Sequence, residues 1–344
     1  MMFKPHSNID LKEIQKVELH CHLELSYRKS TLLEWAIEDG DFSKDLDQTH
    51  FEDKYLILSP MTDLPSVLHK FLASRDRLKS LERIERLTFE VCEDMYLVSN
   101  VRILELRYAP SFILETYPEL GGENILRAII KGCERAEAKY PIATGIICLL
   151  QRIKPFNEND YWADFAIDHK DVILGLDLAD DETNYPPELF SSIFMKAKSQ
   201  GMGITVHAGE PATPEAPTNI LTSIEYLGAD RIGHGVQAIH DSKVIDKLVE
   251  TKTVLELCPT SNYLTQAVKS LSEHPLHKLY DLGVRTTINT DDPGVMNTDL
   301  MKEYHVAHNI LEMPIKKLIQ TNEWAYESSF ICKTKKSRVW SKTQ

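Results

Sequence analysis

The chain has 344 residues, of which 42% are hydrophobic, so it can bury the core of one large α/β domain or of two smaller domains. It carries 52 acidic and 39 basic residues, which gives a net charge of −13. This excess of negative charge disfavours nucleic acids and anionic membranes as partners, and a small neutral or cationic ligand fits it better.

Cysteine spacing and the N-terminal residues bear on the cellular compartment. The six cysteines are widely spaced, form no Cys-x-x-Cys motif and mostly lie in apolar segments, which is typical of reduced, packed thiols. Residues 1–16 include several charged side chains and no apolar stretch of the kind found in secretory signals. We therefore expect a cytoplasmic protein.

Eight short apolar segments, rich in β-branched residues, predict β-strands at intervals along the chain. They cover residues 17–22, 102–110, 143–150, 172–179, 203–210, 231–236, 254–257 and 286–290. Because their apolar character is nearly continuous rather than alternating, they are typical of parallel strands that are buried on both faces.

Segments with helical spacing of apolar residues alternate with these strands. Helices are predicted at residues 65–100, 123–140, 187–200, 219–227, 242–250 and 275–282, with Asp241 as an N-cap, whereas residues 39–54 are polar and predict a loop. The alternation predicts an α/β fold, a (β/α)₈ TIM barrel with extra helices after strand one and at the C-terminus. We expect a single domain over residues 1–344, with its core at about 17–330. A doubly wound open sheet is disfavoured because no glycine-rich turn follows the first strand.

Polar side chains that can bind a metal follow several of the predicted strands. His20 and His22 end the first strand, and because side chains alternate along a strand they point to the same side. The ends of the fifth, sixth and eighth strands carry His207, His234, Asp291 and Asp292. In a barrel these strand ends meet at one mouth, where enzymes of this fold have their active sites. Taken alone, any of these residues could be an ordinary core histidine or loop acid.

Three imidazoles and a carboxylate form a ligand set that suits Zn²⁺ and leaves a position for water. Bound zinc lowers the pKa of that water toward about 7, which makes hydroxide available near neutral pH. Glu210 shares a loop with His207, and this position suits the acid that must protonate the group under attack.

Five motifs occur in the order Val-Glu-Leu-His-Cys-His-Leu-Glu, Thr-Val-His-Ala-Gly-Glu, Arg-Ile-Gly-His-Gly-Val, Cys-Pro-Thr-Ser-Asn and Asn-Thr-Asp-Asp-Pro-Gly-Val. Together they resemble the adenosine deaminase family of metal-dependent amidohydrolases, over residues 17 to 330 or so. The resemblance implies zinc-dependent hydrolytic deamination of a small-molecule purine nucleoside. Adenosine and 2′-deoxyadenosine would give inosine and 2′-deoxyinosine with release of ammonia. It also aligns Leu64, Val67 and Leu68 with the family's apolar gate over the purine.

The same resemblance implies a role for each matching residue. One zinc ion per chain would be bound by His20, His22, His207 and Asp291. Asp291 would also accept a proton from the attacking water, and His234 would orient that water and help to deprotonate it. Glu210 would protonate purine N1 and Asp292 would bind N7, while His22 is counted among the substrate contacts as well as the ligands.

Two stretches depart from the family pattern near the substrate. Where family members read His-Leu-Asp-Gly, this chain has Leu23, Glu24 and Leu25, so the Glu24 carboxylate expected at the ribose 5′-hydroxyl is one methylene longer, and Leu25 adds an apolar wall. Asp180 stands where the family has the glycine whose backbone N–H meets purine N3. These differences leave open a preference for a 5′-modified nucleoside such as methylthioadenosine. Adenine as substrate and a catalytically inactive nucleoside-binding protein are further alternatives.

Overall fold

A computed structural model describes residues 10–42, 48–61 and 64–341 of the chain, with the side chains of residues 64–67 left out. Across these ranges the strands form one parallel eight-stranded sheet in sequential order, which confirms the predicted barrel. The strands are β1 Lys16–His22, β2 Val101–Tyr108, β3 Ala143–Gln151, β4 Ile173–Ala179, β5 Gly203–Ala208, β6 Arg231–His234, β7 Val254–Leu257 and β8 Thr286–Ile288. The ends of the predicted single domain at residues 1–9 and 342–344 lie outside this description.

The barrel closes between β1 and the residues that follow β8. Cys21 and Asp291 form a parallel bridge, in which the His22 amide donates to the Asp291 carbonyl over 2.9 Å and the Asp291 amide donates to the His20 carbonyl over 2.8 Å. The hydrogen bonds that close the barrel therefore also bring Asp291 beside the His-x-His end of β1.

Helices surround the strands. They are α1 Lys29–Glu38, α2 Gln48–Tyr55, α3 Leu64–Arg75, α4 Leu81–Ser99, α5 Pro110–Leu114, α6 Gly122–Lys139, α7 Phe156–Asp168, α8 Ser191–Ser199, α9 Ala216–Tyr226, α10 Ser242–Thr251, α11 Pro259–Leu264, α12 Leu276–Asp281, α13 Leu300–His305, α14 Ile315–Ser328 and α15 Lys333–Lys336. The predicted cap of α10 is confirmed, since the Asp241 side chain accepts a hydrogen bond from the Lys243 amide. Within the described ranges, none of these helices combines the length and the apolar character that crossing a membrane requires.

The structure differs from the sequence prediction at two helices, α2 and α7. Helix α2 occupies residues for which a loop was predicted, because Phe51 and Tyr55, one helical turn apart, are both buried and hold this otherwise polar segment against the protein. Residues 43–47 of that predicted loop lie outside the described ranges. Helix α7, which connects β3 to β4, was not predicted.

A layer of buried charges crosses the inside of the barrel. We call Glu105, Arg107, Asp177, Arg231 and Glu256 the ionic layer; their side chains have no solvent exposure. Each arginine pairs with two carboxylates over distances of 2.5 to 2.8 Å, so that positive and negative charges alternate across the interior. Full charges can be buried when they are paired with opposite charges, and here three carboxylates share two guanidinium groups.

Candidate metal centre and active site

Four predicted ligands converge at the carboxyl ends of the strands, and we call His20, His22, His207 and Asp291 the mouth cluster. His207 Nε2 lies 3.1 Å from His20 Nε2 and 3.3 Å from His22 Nε2. Asp291 Oδ1 lies 3.2 Å and 3.1 Å from the same two nitrogens. Four ligands of one tetrahedral zinc ion, each about 2.0–2.1 Å from the metal, would lie about 3.3–3.4 Å apart. These separations fit a single zinc ion.

His234 and Asp292 lie at the edge of this cluster. His20, His207, His234 and Asp291 each offer an atom within 4.8 Å of the others, and so do His22, Asp291 and Asp292. His234 Nε2 is nevertheless 3.9 Å from the nearer oxygen of Asp291, further than the contacts within the mouth cluster. This spacing suits a group that faces a reacting molecule rather than a fourth nitrogen ligand.

The protonation states of His22, His207 and Asp291 favour metal binding. Burial lowers the pKa of His22, and it lowers the pKa of His207 well below the usual range, so that both rings are neutral with a free lone pair. Burial opposes ionisation of Asp291, but His234 and the hydrogen bonds with His20 and His22 outweigh it and hold the pKa of Asp291 well below its usual value. Next to this anion, burial and the Asp291 charge raise the pKa of Asp292 well above its usual value.

Carboxylates of the ionic layer orient two of the imidazoles. Asp177 Oδ1 lies 3.0 Å from His207 Nδ1, and Glu256 Oε2 lies 2.9 Å from His20 Nδ1, which directs both Nε2 atoms into the mouth cluster. Arg107 donates to both carboxylates, over 2.7 and 2.8 Å. The sequence motifs did not include Arg107, Asp177 or Glu256 among the site residues, although Asp177 and Glu256 are each the single charge in an otherwise apolar strand.

The loop after β5 carries Glu210 toward His234. Glu210 Oε2 lies 3.6 Å from His234 Nε2, and Glu210 Oε1 accepts a hydrogen bond from the Thr265 hydroxyl over 3.0 Å. The buried Glu182 carboxylate holds this loop by accepting from the amides of Gly209 and Glu210 over 2.9 and 2.8 Å. A Cβ at Gly209, where φ is +71°, would lie 2.4 Å from an Ile220 methyl group, so glycine is required there.

The backbone turns sharply at three of the predicted site residues. Asp180, His234 and Asp291 have φ angles of 76°, 60° and 67°, in the left-handed region that is unfavourable for residues other than glycine. Each such residue is destabilised by about 1–3 kcal/mol, and such strain is concentrated at functional sites. The turns allow His234 and Asp291 to leave their strands toward the cluster.

The predicted substrate contacts Asp292, Glu24 and Asp180 differ in whether their carboxyl oxygens already have hydrogen-bond partners. Asp292 Oδ1 is buried without a hydrogen-bond partner in the described structure, as expected for an atom that awaits a ligand. Glu24 is buried, and its Oε1 accepts from the Ala109 amide over 2.6 Å; burial raises the pKa of Glu24 to about 7. Asp180 Oδ2 accepts from the Gln151 side chain over 3.1 Å, and the loss of hydration around its carboxyl raises the pKa of Asp180 to about 6. The hydrogen bonds of Glu24 and Asp180 are thus made outside the mouth cluster.

The apolar residues expected near the substrate differ in how far the structure describes them. Leu25 is buried in a small cluster with Ile57, Leu264, Val295 and Met296. Leu68 on α3 is 46% exposed. The side chains of Leu64 and Val67 lie outside the described part of the chain.

Comparisons with known proteins agree with the fold. A family model for adenosine deaminase matches residues 15–344. An adenosine deaminase from Clostridium acetobutylicum is 33% identical over 305 residues, which span 89% of this chain and 90% of that protein. A zinc-bound amidohydrolase structure from Burkholderia ambifaria has a TM-score of 0.84 at 24% identity, covering 96% of this chain and 92% of the other. The N6-methyl-AMP deaminase of Arabidopsis thaliana has a TM-score of 0.80 at 25% identity, covering 96% of both chains.

Proposed function

Because this chain belongs to the adenosine deaminase family and is a hydrolase acting on C–N bonds, we propose that it hydrolyses the 6-amino group of adenosine and 2′-deoxyadenosine. The products are inosine and 2′-deoxyinosine, with ammonia released. The observation that carries this proposal is the mouth cluster, in which three imidazole nitrogens and one carboxylate oxygen approach to 3.1–3.3 Å beside Glu210 and His234.

The donor set and its spacing support Zn²⁺, one per chain, held by His20, His22, His207 and Asp291. When bound, zinc lowers the pKa of a water molecule toward about 7 and so supplies a nucleophile at neutral pH. Asp177 and Glu256 keep the two imidazoles that they contact in the tautomer whose free lone pair faces the cluster.

The remaining residues supply proton transfers and purine recognition. Asp291, held ionised, accepts a proton from the attacking water through a carboxylate oxygen. His234 orients that water from the opposite edge of the cluster. Glu210 protonates N1 of the purine, and Asp292, whose raised pKa favours the protonated form, donates to N7 through its unpaired oxygen. The water oxygen forms a bond to C6, and the proton held by Asp291 passes to the 6-amino group, so that the C6–N bond breaks and ammonia leaves. The hydroxyl at C6 returns its proton to Glu210 and becomes the 6-oxo group.

One observation favours methylthioadenosine as a second candidate substrate. A ribose 5′-hydroxyl needs a polar partner, but Oε1 of Glu24 accepts the Ala109 amide and burial raises the pKa of this carboxyl to about 7, which leaves only Oε2 for the hydroxyl. A 5′-substituent without a hydroxyl would not need that partner.

The partner that we propose is a small purine nucleoside. A cytoplasmic location and a single domain over residues 1–344 remain predictions. The cysteines agree with a reducing compartment, since all six are free and all but Cys332 are buried.

A substrate panel on zinc-replete protein tests the proposal. The absorbance change from 6-aminopurine to 6-oxopurine is followed with adenosine, 2′-deoxyadenosine, methylthioadenosine, adenine and N6-methyl-AMP. We expect turnover of the two nucleosides, and a loss of kcat on the order of 10²-fold or more for Glu210→Gln, because the variant cannot donate a proton to N1. Glu215→Gln, an exposed carboxylate near the same loop, is the matched control and should retain activity.

The outcomes separate the candidates. Methylthioadenosine as the best substrate would replace adenosine in the assignment. Zinc-loaded protein that turns over no compound of the panel would exclude the deaminase function and favour the nucleoside-binding alternative.

A further inference from the structure

A row of three buried side chains leads from a backbone amide to His234. The Leu276 amide donates to His274 Nδ1 over 3.2 Å, His274 Nε2 lies 3.0 Å from Asn262 Oδ1, and Asn262 Nδ2 lies 3.0 Å from His234 Nδ1. His274 is 3% exposed, Asn262 0% and His234 1%. Asn262 is the last residue of the Cys-Pro-Thr-Ser-Asn motif, and His274 lies 12 residues after it.

The direction of every bond in this row follows from its first member. A backbone N–H can only donate, so His274 Nδ1 must be an unprotonated acceptor, and the ring carries its proton on Nε2. His274 therefore donates to the oxygen of the Asn262 amide, which turns the NH₂ group toward His234. An NH₂ group can only donate, so Nδ1 of His234 accepts and its proton lies on Nε2.

Burial keeps the His274 side chain uncharged. Loss of hydration lowers the pKa of His274 to about 3, so the ring is neutral at physiological pH. A neutral His274 carries one N–H group, on Nε2, and this group donates a hydrogen bond to the side-chain oxygen of Asn262.

We propose that Asn262 and His274 are positioning residues that hold His234 in the tautomer with its proton on Nε2, so that His234 faces the reaction as a hydrogen-bond donor. The atom it presents, Nε2, lies 3.6 Å from Glu210 Oε2 and 3.9 Å from Asp291 Oδ2, on the side where the water must sit. A neutral ring with a proton on that atom cannot accept another from water there. The proton taken from water consequently goes to Asp291, and the part in deprotonation that the family resemblance gave to His234 is not needed.

Helix α11 supports both of these groups from neighbouring positions. The Ser261 hydroxyl donates to Asp291 Oδ2 over 2.6 Å, while Asn262 donates to His234. The backbone N–H of Asn262 donates to the Cys258 carbonyl over 2.8 Å, which fixes the first turn of the helix. One helical turn thus sets the acceptor and the donor on the two sides of the same water position. The catalytic consequence of this inference rests on the proposed deaminase function, but the tautomer of His234 does not.

The decisive variant is Asn262→Asp, which replaces the NH₂ group by an oxygen of nearly the same size. A carboxylate at this position can only accept, so His234 should move its proton to Nδ1 and present a bare lone pair to the site. We expect ¹⁵N NMR of histidine-labelled, zinc-replete wild type to show the Nε2–H tautomer for His234, assigned by the signal missing in His234→Gln. In Asn262→Asp the same signals should change to the Nδ1–H or doubly protonated pattern.

Kinetics give the second readout. For Asn262→Asp with adenosine we expect kcat to fall on the order of 10²-fold or more, with KM changing much less, because the donor acts on the reacting water and not on substrate binding. Asn262→Gln, which keeps the NH₂ group on a longer stem, should recover part of the lost kcat. His274→Leu should produce a mixture of His234 tautomers and an intermediate kcat, since the Asn262 amide is then free to rotate.

A matched control lies one turn along the same segment. His277 bonds through Nδ1 to the Leu311 carbonyl, away from the row, and His277→Leu should leave both the His234 spectrum and kcat unchanged. An Nδ1–H tautomer for His234 in the wild type, or an Asn262→Asp variant with normal kcat, would overturn the proposal. If the wild type deaminates nothing, the function fails, and the NMR measurement still decides the tautomer.

Discussion

The mouth cluster and the ionic layer beneath it are both buried groups of titratable side chains, yet they are assembled on opposite principles. In the ionic layer, guanidinium groups and carboxylates alternate, and each charge meets its counter-ion at 2.5–2.8 Å. In the mouth cluster, imidazole nitrogens point at each other and at a single carboxylate oxygen. The first arrangement pairs opposite charges with each other, whereas the second brings together the donor atoms of a metal site.

The two groups are also physically joined. Asp177 and Glu256 belong to the ionic layer through Arg107 and reach the mouth cluster through His207 and His20. We infer that the two groups have different roles: the ionic layer provides rigid support, and the mouth cluster provides the chemistry. Substitutions in the ionic layer should therefore mainly change the free energy of unfolding, and substitutions in the mouth cluster should mainly change metal binding and turnover.

The largest effect is expected from Arg107→Met. Removing this cation leaves the buried Asp177 without its arginine and Glu256 with Arg231 alone, so we expect the free energy of unfolding, measured by urea denaturation, to fall by about 3–5 kcal/mol. Arg102→Met on the same strand is the control, because Arg102 is only partly buried, and its loss should change the free energy of unfolding by less than about 1 kcal/mol. Equal stability of the two variants would contradict these different roles.

A middle-sized effect, of the opposite kind, is expected from His22→Gln. Loss of a ligand should weaken zinc binding by more than about 100-fold in a chelator competition, since residues that merely orient ligands already contribute 10–100-fold. The free energy of unfolding of the metal-free protein should change by less than about 1 kcal/mol, because the substitution relieves the crowding of imidazoles rather than leaving a charge unpaired. His305→Gln, at an exposed position, controls for weak metal binding by surface histidines. A large loss of metal-free stability would show that the mouth cluster also supports the fold.

The smallest effect is expected from Asp180→Gly. Glycine adopts the positive φ of 76° without strain, but it loses the bond to Gln151 and adds freedom to the unfolded chain, so we expect a rise in the free energy of unfolding of no more than about 1 kcal/mol. Asp181→Gly is the matched control; its carboxylate accepts from the amides of Thr183 and Asn184, and it has no positive φ to relieve, so it should be less stable than the wild type. The two midpoints of thermal unfolding, measured side by side, decide the comparison. A destabilised Asp180→Gly variant would mean that Asp180, like the ionic layer, supports the fold.

The sequence by itself determined the barrel and the place of its chemistry. Near-continuous apolar strands that end in His20, His22, His207, His234 and Asp291 are local patterns, and the rule that parallel strand ends share one mouth converts them into a site. The segment of α2 was missed because its apolar stripe consists of only two residues in a polar stretch.

Only the tertiary structure decided which side chains hold that site in place. Arg107 finds its carboxylates 70 and 149 residues along the chain, and Asn262 finds His234 and His274 at separations of 28 and 12 residues. The Glu24 carboxylate turns to the Ala109 amide at a separation of 85 residues. Such pairings depend on strand register and on the direction in which each side chain leaves the backbone, and neither is encoded in the local spacing of residue types.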